Sequence, residues 1–192
     1  MANPIVDKNQ HTFEEWLELE EVSTVRHEFY FGEVFAMAGG TTNHNLINGN
    51  IFASLRSFAR KSDCRVFIAD VKLELVEKKY YVYPDIIYTC NADDKQAPLI
   101  IRHPSLVVEV LSDSTEAYDL NTKLNYYTKL SSLLYYVLVS QKDYLVQVYE
   151  RRNNMWIFSS VEGVENTIDL PQLGINLSIQ EIYENVSISE SR

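Results

Sequence analysis

Several charged side chains in this sequence stand where charge is costly unless it is used. Asp85 follows Tyr83-Pro84 and leads straight into Ile86-Ile87-Tyr88. Glu109 interrupts an apolar run, with Leu106-Val107-Val108 before it and Val110-Leu111 after it. Asp119 and Lys123 lie four positions apart in a helix-type segment, a spacing that puts both on one helix face. A carboxylate in a buried strand must be paired or must bind a metal. Two such strands side by side, with a lysine on a neighbouring helix, suit hydrolysis at a metal. Phosphodiester cleavage needs an activated water, a charge clamp on the phosphate and relief for the leaving oxygen. Mg2+ or Mn2+ supplies much of this from carboxylate, carbonyl and water ligands. A lysine adds fixed positive charge and can orient the water. The expected ligands are Asp85 and Glu109, with the Val110 carbonyl as a third, and Lys123 is the expected catalytic cation.

Other residues have plainer explanations. Asp119 suits a capping or supporting role behind the ligands. Asp70 is better explained by a salt bridge to Lys72 or an arginine than by ligation. His44 follows a turn and can cap a helix or touch a substrate phosphate. Tyr126 and Tyr127 read as core packing before base stacking.

The surrounding pattern indicates how these residues are positioned. Thr12 with Glu14 and Glu15 marks a helix start, and Phe13, Trp16, Leu17 and Leu19 carry a short amphipathic helix to about Glu21. Residues 27–37 read as a hairpin turning at Gly32, with Glu28 on its first arm. After Gly39-Gly40-Thr41-Thr42-Asn43, the spacing of Leu46, Ile47, Ile51, Leu55 and Phe58 predicts a helix over 44–61. Residues 65–76 and 80–88 read as two paired strands around the turn Glu77-Lys78-Lys79, followed by a polar loop over 91–96. Residues 106–111 read as a strand covered on both faces, and 115–130 as a helix. Strands follow at 135–139, 145–149 and 155–161, with a closing helix over 177–183. The order predicts an α/β fold with a mixed central sheet flanked by helices, as one domain over 1–192 with its core at about 13–183.

Composition narrows the function classes. A formal net charge of −10 argues against a nonspecific nucleic-acid coat. Residues 51–79 nevertheless carry seven bases against four acids, a local balance compatible with phosphate binding or with a solvated surface. Cys64 and Cys90 have no zinc-ligand spacing, and two cysteines make no disulfide framework. Met1-Ala2-Asn3-Pro4-Ile5-Val6-Asp7 lacks the marks of a secretory leader, and no apolar run reaches membrane-spanning length. A cytoplasmic protein without membrane contact is the expectation.

The ordered string Pro84-Asp85, Glu109-Val110-Leu111-Ser112, Ser114-Thr115, Asp119, Lys123 and Tyr127 resembles the Uma-type restriction endonucleases of the PD-(D/E)xK nuclease superfamily. Glu28, Gly32-Glu33, Met37, His44 and Tyr135-Tyr136-Val137-Leu138-Val139 fit the same resemblance, which spans about 13–183. It implies a restriction-endonuclease-like fold, a divalent-metal site and DNA, as a duplex, for substrate. Asp85 matches the PD aspartate and Glu109 the (D/E) position, while Glu28 matches an upstream acid that can join the metal site. The superfamily's lysine position, two residues after the second acid, holds Leu111, and the helical Lys123 matches the family's substitute. Cutting both strands favours a homodimer, with the region of 145–161 as interface material. The alternatives are a nuclease-fold binding module without turnover and an interaction protein whose buried acids are merely paired.

Overall fold

The computed structural model describes residues 6–7, 10–37 and 39–188, so residues 1–5, read above for a leader, lie outside the described residues. In chain order the elements are β1 (Val6–Asp7), α1 (Phe13–Val22), β2 (His27–Tyr30), β3 (Glu33–Ala36), α2 (Thr42–Ser62), β4 (Arg65–Ile68), β5 (Lys72–Val76), β6 (Tyr80–Val82) and β7 (Ile86–Thr89). Then follow α3 (Ala92–Gln96), β8 (Ile100–Ile101), β9 (Leu106–Val110) and a helix in three parts. Its α4 (Glu116–Tyr118) passes through a π-helical turn (Asp119–Lys123) into α5 (Leu124–Tyr127). Last come β10 (Tyr135–Val139), β11 (Leu145–Arg152), β12 (Met155–Glu162), β13 (Thr167–Leu170), β14 (Ile175–Ser178) and α6 (Ile179–Ile182).

Two six-stranded mixed sheets carry the fold, ordered β1-β3-β2-β6-β5-β8 and β12-β11-β10-β9-β7-β4, with β13-β14 as a separate hairpin. The parallel pairs are β5 with β8 and β9 with β10. Alternation along β9 sorts its side chains between two cores. Leu106, Val108 and Val110 face α2 and the β14–α6 segment, whereas Val107 packs against Leu73, Val82 and Tyr127 of the other core. Glu109 shares the face of Val107. A third cluster packs Trp16 of α1 on Phe29, Val34, Tyr81 and Tyr83. Thr12 starts α1 with a reciprocal capping box to Glu15. Phe31 and Gly32 turn the first hairpin, both with positive φ, as a two-residue loop between twisted strands requires.

Four expectations are corrected. The single strand over 65–76 is two strands in different sheets, because Ala69 and Asp70 both adopt left-handed backbone (φ 46° and 50°). The partner strand over 80–88 also divides, at Tyr83-Pro84-Asp85, where proline has no N–H for the ladder. The two crossings are tied together by Ala69 N–H donating to the Asp85 carbonyl at 3.0 Å. The polar loop over 91–96 forms α3, capped by Asn91. The closing helix is confined to Ile179–Ile182, since the preceding residues pair as β14 with β13.

The cysteines also depart from expectation. The β4–β7 register sets Arg65 opposite Thr89, which brings Cys64 and Cys90 to a Cα separation of 4.2 Å, and they form a disulfide. Among the described residues no helix is long and apolar enough to cross a membrane.

Candidate active site

The cleft, about 860 Å3 in volume, is lined by the β2–β3 hairpin, the start of α2, the ends of β9 and its following turn, and the helix over 115–123. Asp85 sits in it because its backbone is where the chain passes from one sheet to the other. From that position its carboxylate reaches three partners. Oδ2 accepts from Val110 N–H at 2.7 Å, Oδ1 accepts from Asn48 Nδ2 at 3.0 Å, and His44 Nε2 lies 3.2 Å away. Thr41, not His44, caps α2. The His44 ring is free to reach across because Gly40 has no Cβ, which would stand 2.8 Å from Nδ1.

Glu109 lies beside Asp85 since β7 and β9 are antiparallel neighbours, with Ile86 opposite Val108. Its Oε2 accepts from Asp85 N–H at 3.2 Å, while Oε1 accepts from Lys123 Nζ at 3.0 Å and Tyr127 O–H at 2.8 Å. Lys123 Nζ also lies 3.1 Å from Asp119 and 3.3 Å from Glu28. The Tyr118 ring stands 5.4 Å from the same ammonium, close enough for a cation–π contact.

Burial sets the electrostatics. Glu109 is 3% exposed. Desolvation is the main force pushing its carboxyl up to about 8, aided by Asp119 and Asp85 and opposed by Lys123. For Lys123, burial pulls the ammonium down, but Glu109, Glu28 and Asp119 together outweigh it and hold the group well above the usual lysine range. Lys123 therefore stays charged, while Glu109 takes a proton more readily than an ordinary glutamate. Burial also lowers His44, and its contact with Asp85 more than offsets that, leaving its pKa raised. The Tyr127 phenol is pushed well up, by burial first and then by Glu109.

The structure thus brings together Asp85, Glu109, Lys123, Glu28 and Asp119, with Val110 at the rim. Asp70 is elsewhere and pairs with Arg26 at 3.4 Å. The basic residues of α2 are remote too. Arg60 is sixteen residues beyond His44, roughly 24 Å along the helix. Charged groups lining the cleft are mostly acidic, including Glu33 and Asp113, and the second lysine there, Lys142, bridges Asp113. Asn48 was missed from sequence, although its spacing from His44 on the face of α2 was a usable signal. Tyr127 is core, as read, and also holds Glu109. Among the described residues no three His, Cys, Asp or Glu side chains stand at metal-ligand spacing. Lys123 Nζ stands within 3.3 Å of Glu28, Glu109 and Asp119. Asp85 and Glu109 remain side by side as an oxygen-only pair.

Comparisons with known proteins agree with this architecture. The model of a family described as "Uma2: Putative restriction endonuclease" matches residues 13–180. The uncharacterized protein slr1290 of Synechocystis sp. is 31% identical over 91% of this chain and 92% of its own length. A second Synechocystis sp. protein, the uncharacterized sll1609, is 30% identical over 82% of this chain and 91% of its own. A crystal structure from Anabaena variabilis, described as "a putative nuclease belonging to DUF820", superposes with a TM-score of 0.73. It is 16% identical and the match covers 92% of this chain and 99% of that one, so the two share a fold.

Proposed function

The chain belongs to the Uma2 family, and from that premise we propose that it is a Mg2+- or Mn2+-dependent nuclease hydrolysing phosphodiester bonds in duplex DNA. The observation that carries the proposal is the meeting of Asp85 and Glu109 in the cleft, with Lys123 bound to the other oxygen of Glu109. Two adjacent carboxylates form the donor set these hard ions accept, with water filling the remaining positions. Asp85 and Glu109 would hold the ion, with the Val110 carbonyl as a further oxygen. When bound, such an ion polarises a phosphoryl oxygen and acidifies a water.

This chain's own residues do the positioning. Val110 N–H, Asn48 and His44 fix the orientation of the Asp85 carboxylate. Lys123 and Tyr127 together hold Oε1 of Glu109, which turns Oε2 towards Asp85. The Lys123 charge favours the carboxylate form of Glu109 and opposes the effect of its burial, an electrostatic function exerted through the glutamate. Glu28 acts on the same lysine from the hairpin side. Two copies related by a two-fold axis would cut both strands. Their contact is assigned to the edge strand β12, where Met155, Ile157 and Phe158 are exposed.

The deciding experiment is cleavage of supercoiled plasmid with Mg2+ or Mn2+, with Asp85→Ala as control. Metal-dependent cleavage by the parent and none by the variant is expected. A parent that cleaves nothing, or a variant that cleaves equally, rejects the proposal. The acidic lining of the cleft favours one rival, a nuclease-fold binding module without turnover, and DNA retention without cleavage in the same assay would select it.

A further inference from the structure

The Lys123 ammonium is enclosed by acids: it donates to Glu109 and is ion-paired with Asp119 and Glu28. An ammonium carries three N–H groups, and carboxylate oxygens of Glu109, Asp119 and Glu28 stand 3.0, 3.1 and 3.3 Å from Nζ. All four residues are more than nine-tenths buried. A lysine meant to touch a reacting phosphate would present an N–H to the cleft, whereas this one is enclosed as a coordinated cation is. Asp119 Oδ1 gives an independent sign. It is buried and aimed at the ammonium, yet accepts no well-directed hydrogen bond among the described residues. A divalent ion bonds a carboxylate oxygen without needing a directed N–H and would satisfy that oxygen where the ammonium does not. Glu109 meanwhile faces both ways, with Oε1 on Lys123 and Oε2 towards Asp85. Paired metal sites are built around ions roughly 3.5–4 Å apart, and a carboxylate with one oxygen turned to each side suits that arrangement.

We infer that the Lys123 ammonium fills the place of a second divalent cation, so that the protein takes one exchangeable ion, and that removing the ammonium opens a Mn2+ site formed by Glu28, Glu109 and Asp119. The first ion, at Asp85 and Glu109, rests on the function proposed above. The vacated site rests on the enclosure of Nζ and on the buried Asp119 oxygen that no N–H satisfies. Its three oxygens need to draw inwards by roughly 1 Å each to reach metal–oxygen distances, a movement within the reach of glutamate and aspartate torsions. Because Asp85 does not touch Lys123, the two ion sites can be removed separately.

The test is Mn2+ titration of the full chain, with stoichiometry read by calorimetry and by the electron paramagnetic resonance of free Mn2+. The parent is expected to bind one ion, Lys123→Ala two, and the double variant Asp85→Asn/Lys123→Ala one. A folded Lys123→Ala chain that binds no more Mn2+ than the parent overturns the inference. A parent that binds none while Lys123→Ala binds one rejects the metal reading of Asp85 and the single exchangeable ion that rests on it, and supports the site opened at Glu28, Glu109 and Asp119. If Lys123→Ala folds only when Mn2+ is supplied, that dependence supports it also. If it folds in neither condition, Lys123→Gln, which keeps the stem and loses the charge, decides the matter, with one extra ion expected and none refuting.

Discussion

Replacing Glu109 with glutamine tests the electrostatics of the cleft without any assay of activity. Glu109 is 3% exposed, and burial pushes its carboxyl from 4.5 to about 8. In the unfolded chain the group ionises near its ordinary value. Between those limits the folded state binds a proton that the unfolded state does not. The associated stability is therefore complete below about 4.5 and is lost as pH rises through about 8. At about 1.4 kcal/mol per pKa unit, the rise from about pH 6 through a folded value of about 8 should cost the metal-free parent roughly 3 kcal/mol. Glutamine cannot titrate. It also sets an amide N–H2 against Asp85 N–H, Lys123 or Tyr127, so the variant should begin roughly 1–3 kcal/mol less stable at the acid end. Urea unfolding with chelator present, at about pH 6 and about pH 9, measures both quantities. The gap between parent and variant should narrow, or reverse, at the higher pH. The other titrating groups are present in both proteins, so the change in the gap reports Glu109 together with its influence on Lys123 and Tyr127. Parallel pH profiles would refute the reasoning, because they would mean that the site holds Glu109 ionised across the whole range.

Asp85→Asn should lower metal-free stability by about 1–2 kcal/mol, since an amide N–H2 must face Val110 N–H or Asn48. It should also remove the metal-induced rise in Tm, and paired thermal melts with and without Mn2+ check both effects. Tyr127→Phe deletes a donor to a buried carboxylate and should cost about 1–3 kcal/mol in urea unfolding. Because the Tyr127 hydrogen bond lowers the pKa of Glu109, its loss should also move the alkaline decline in stability to higher pH. Thr12→Ala breaks the capping box of α1 and should cost about 1 kcal/mol with the pH profile unchanged.

Much of this protein is encoded locally. The capping box at Thr12, the apolar stripe of α2, the turn at Gly32 and the continuous run of β9 are properties of a few consecutive residues, and each element forms as its own pattern dictates. The isolated position of Glu109 in β9 and the four-residue spacing of Asp119 and Lys123 are local in the same sense, so the acids and the lysine could be singled out from sequence. What the chain could not disclose was which sheet each strand joins. Val71, Leu73 and Leu75 alternate with polar neighbours, and the β-type composition of 65–76 and 80–88 marks no change of sheet. Only the packing of two sheets against each other makes it favourable for Ala69 and Asp70 to adopt left-handed backbone and for Pro84 to end a ladder. Those crossings carry Asp85 into the cleft. The meeting of Cys64 with Cys90 follows from the β4–β7 register, and the grip of His44 and Asn48 on Asp85 follows from laying α2 across the second sheet. The enclosure of Lys123 is the most non-local feature, because its three carboxylates come from β2, β9 and the π-helical turn. Periodicity specifies which face a side chain takes within its own element, but the distance between side chains on three elements exists only once those elements have packed.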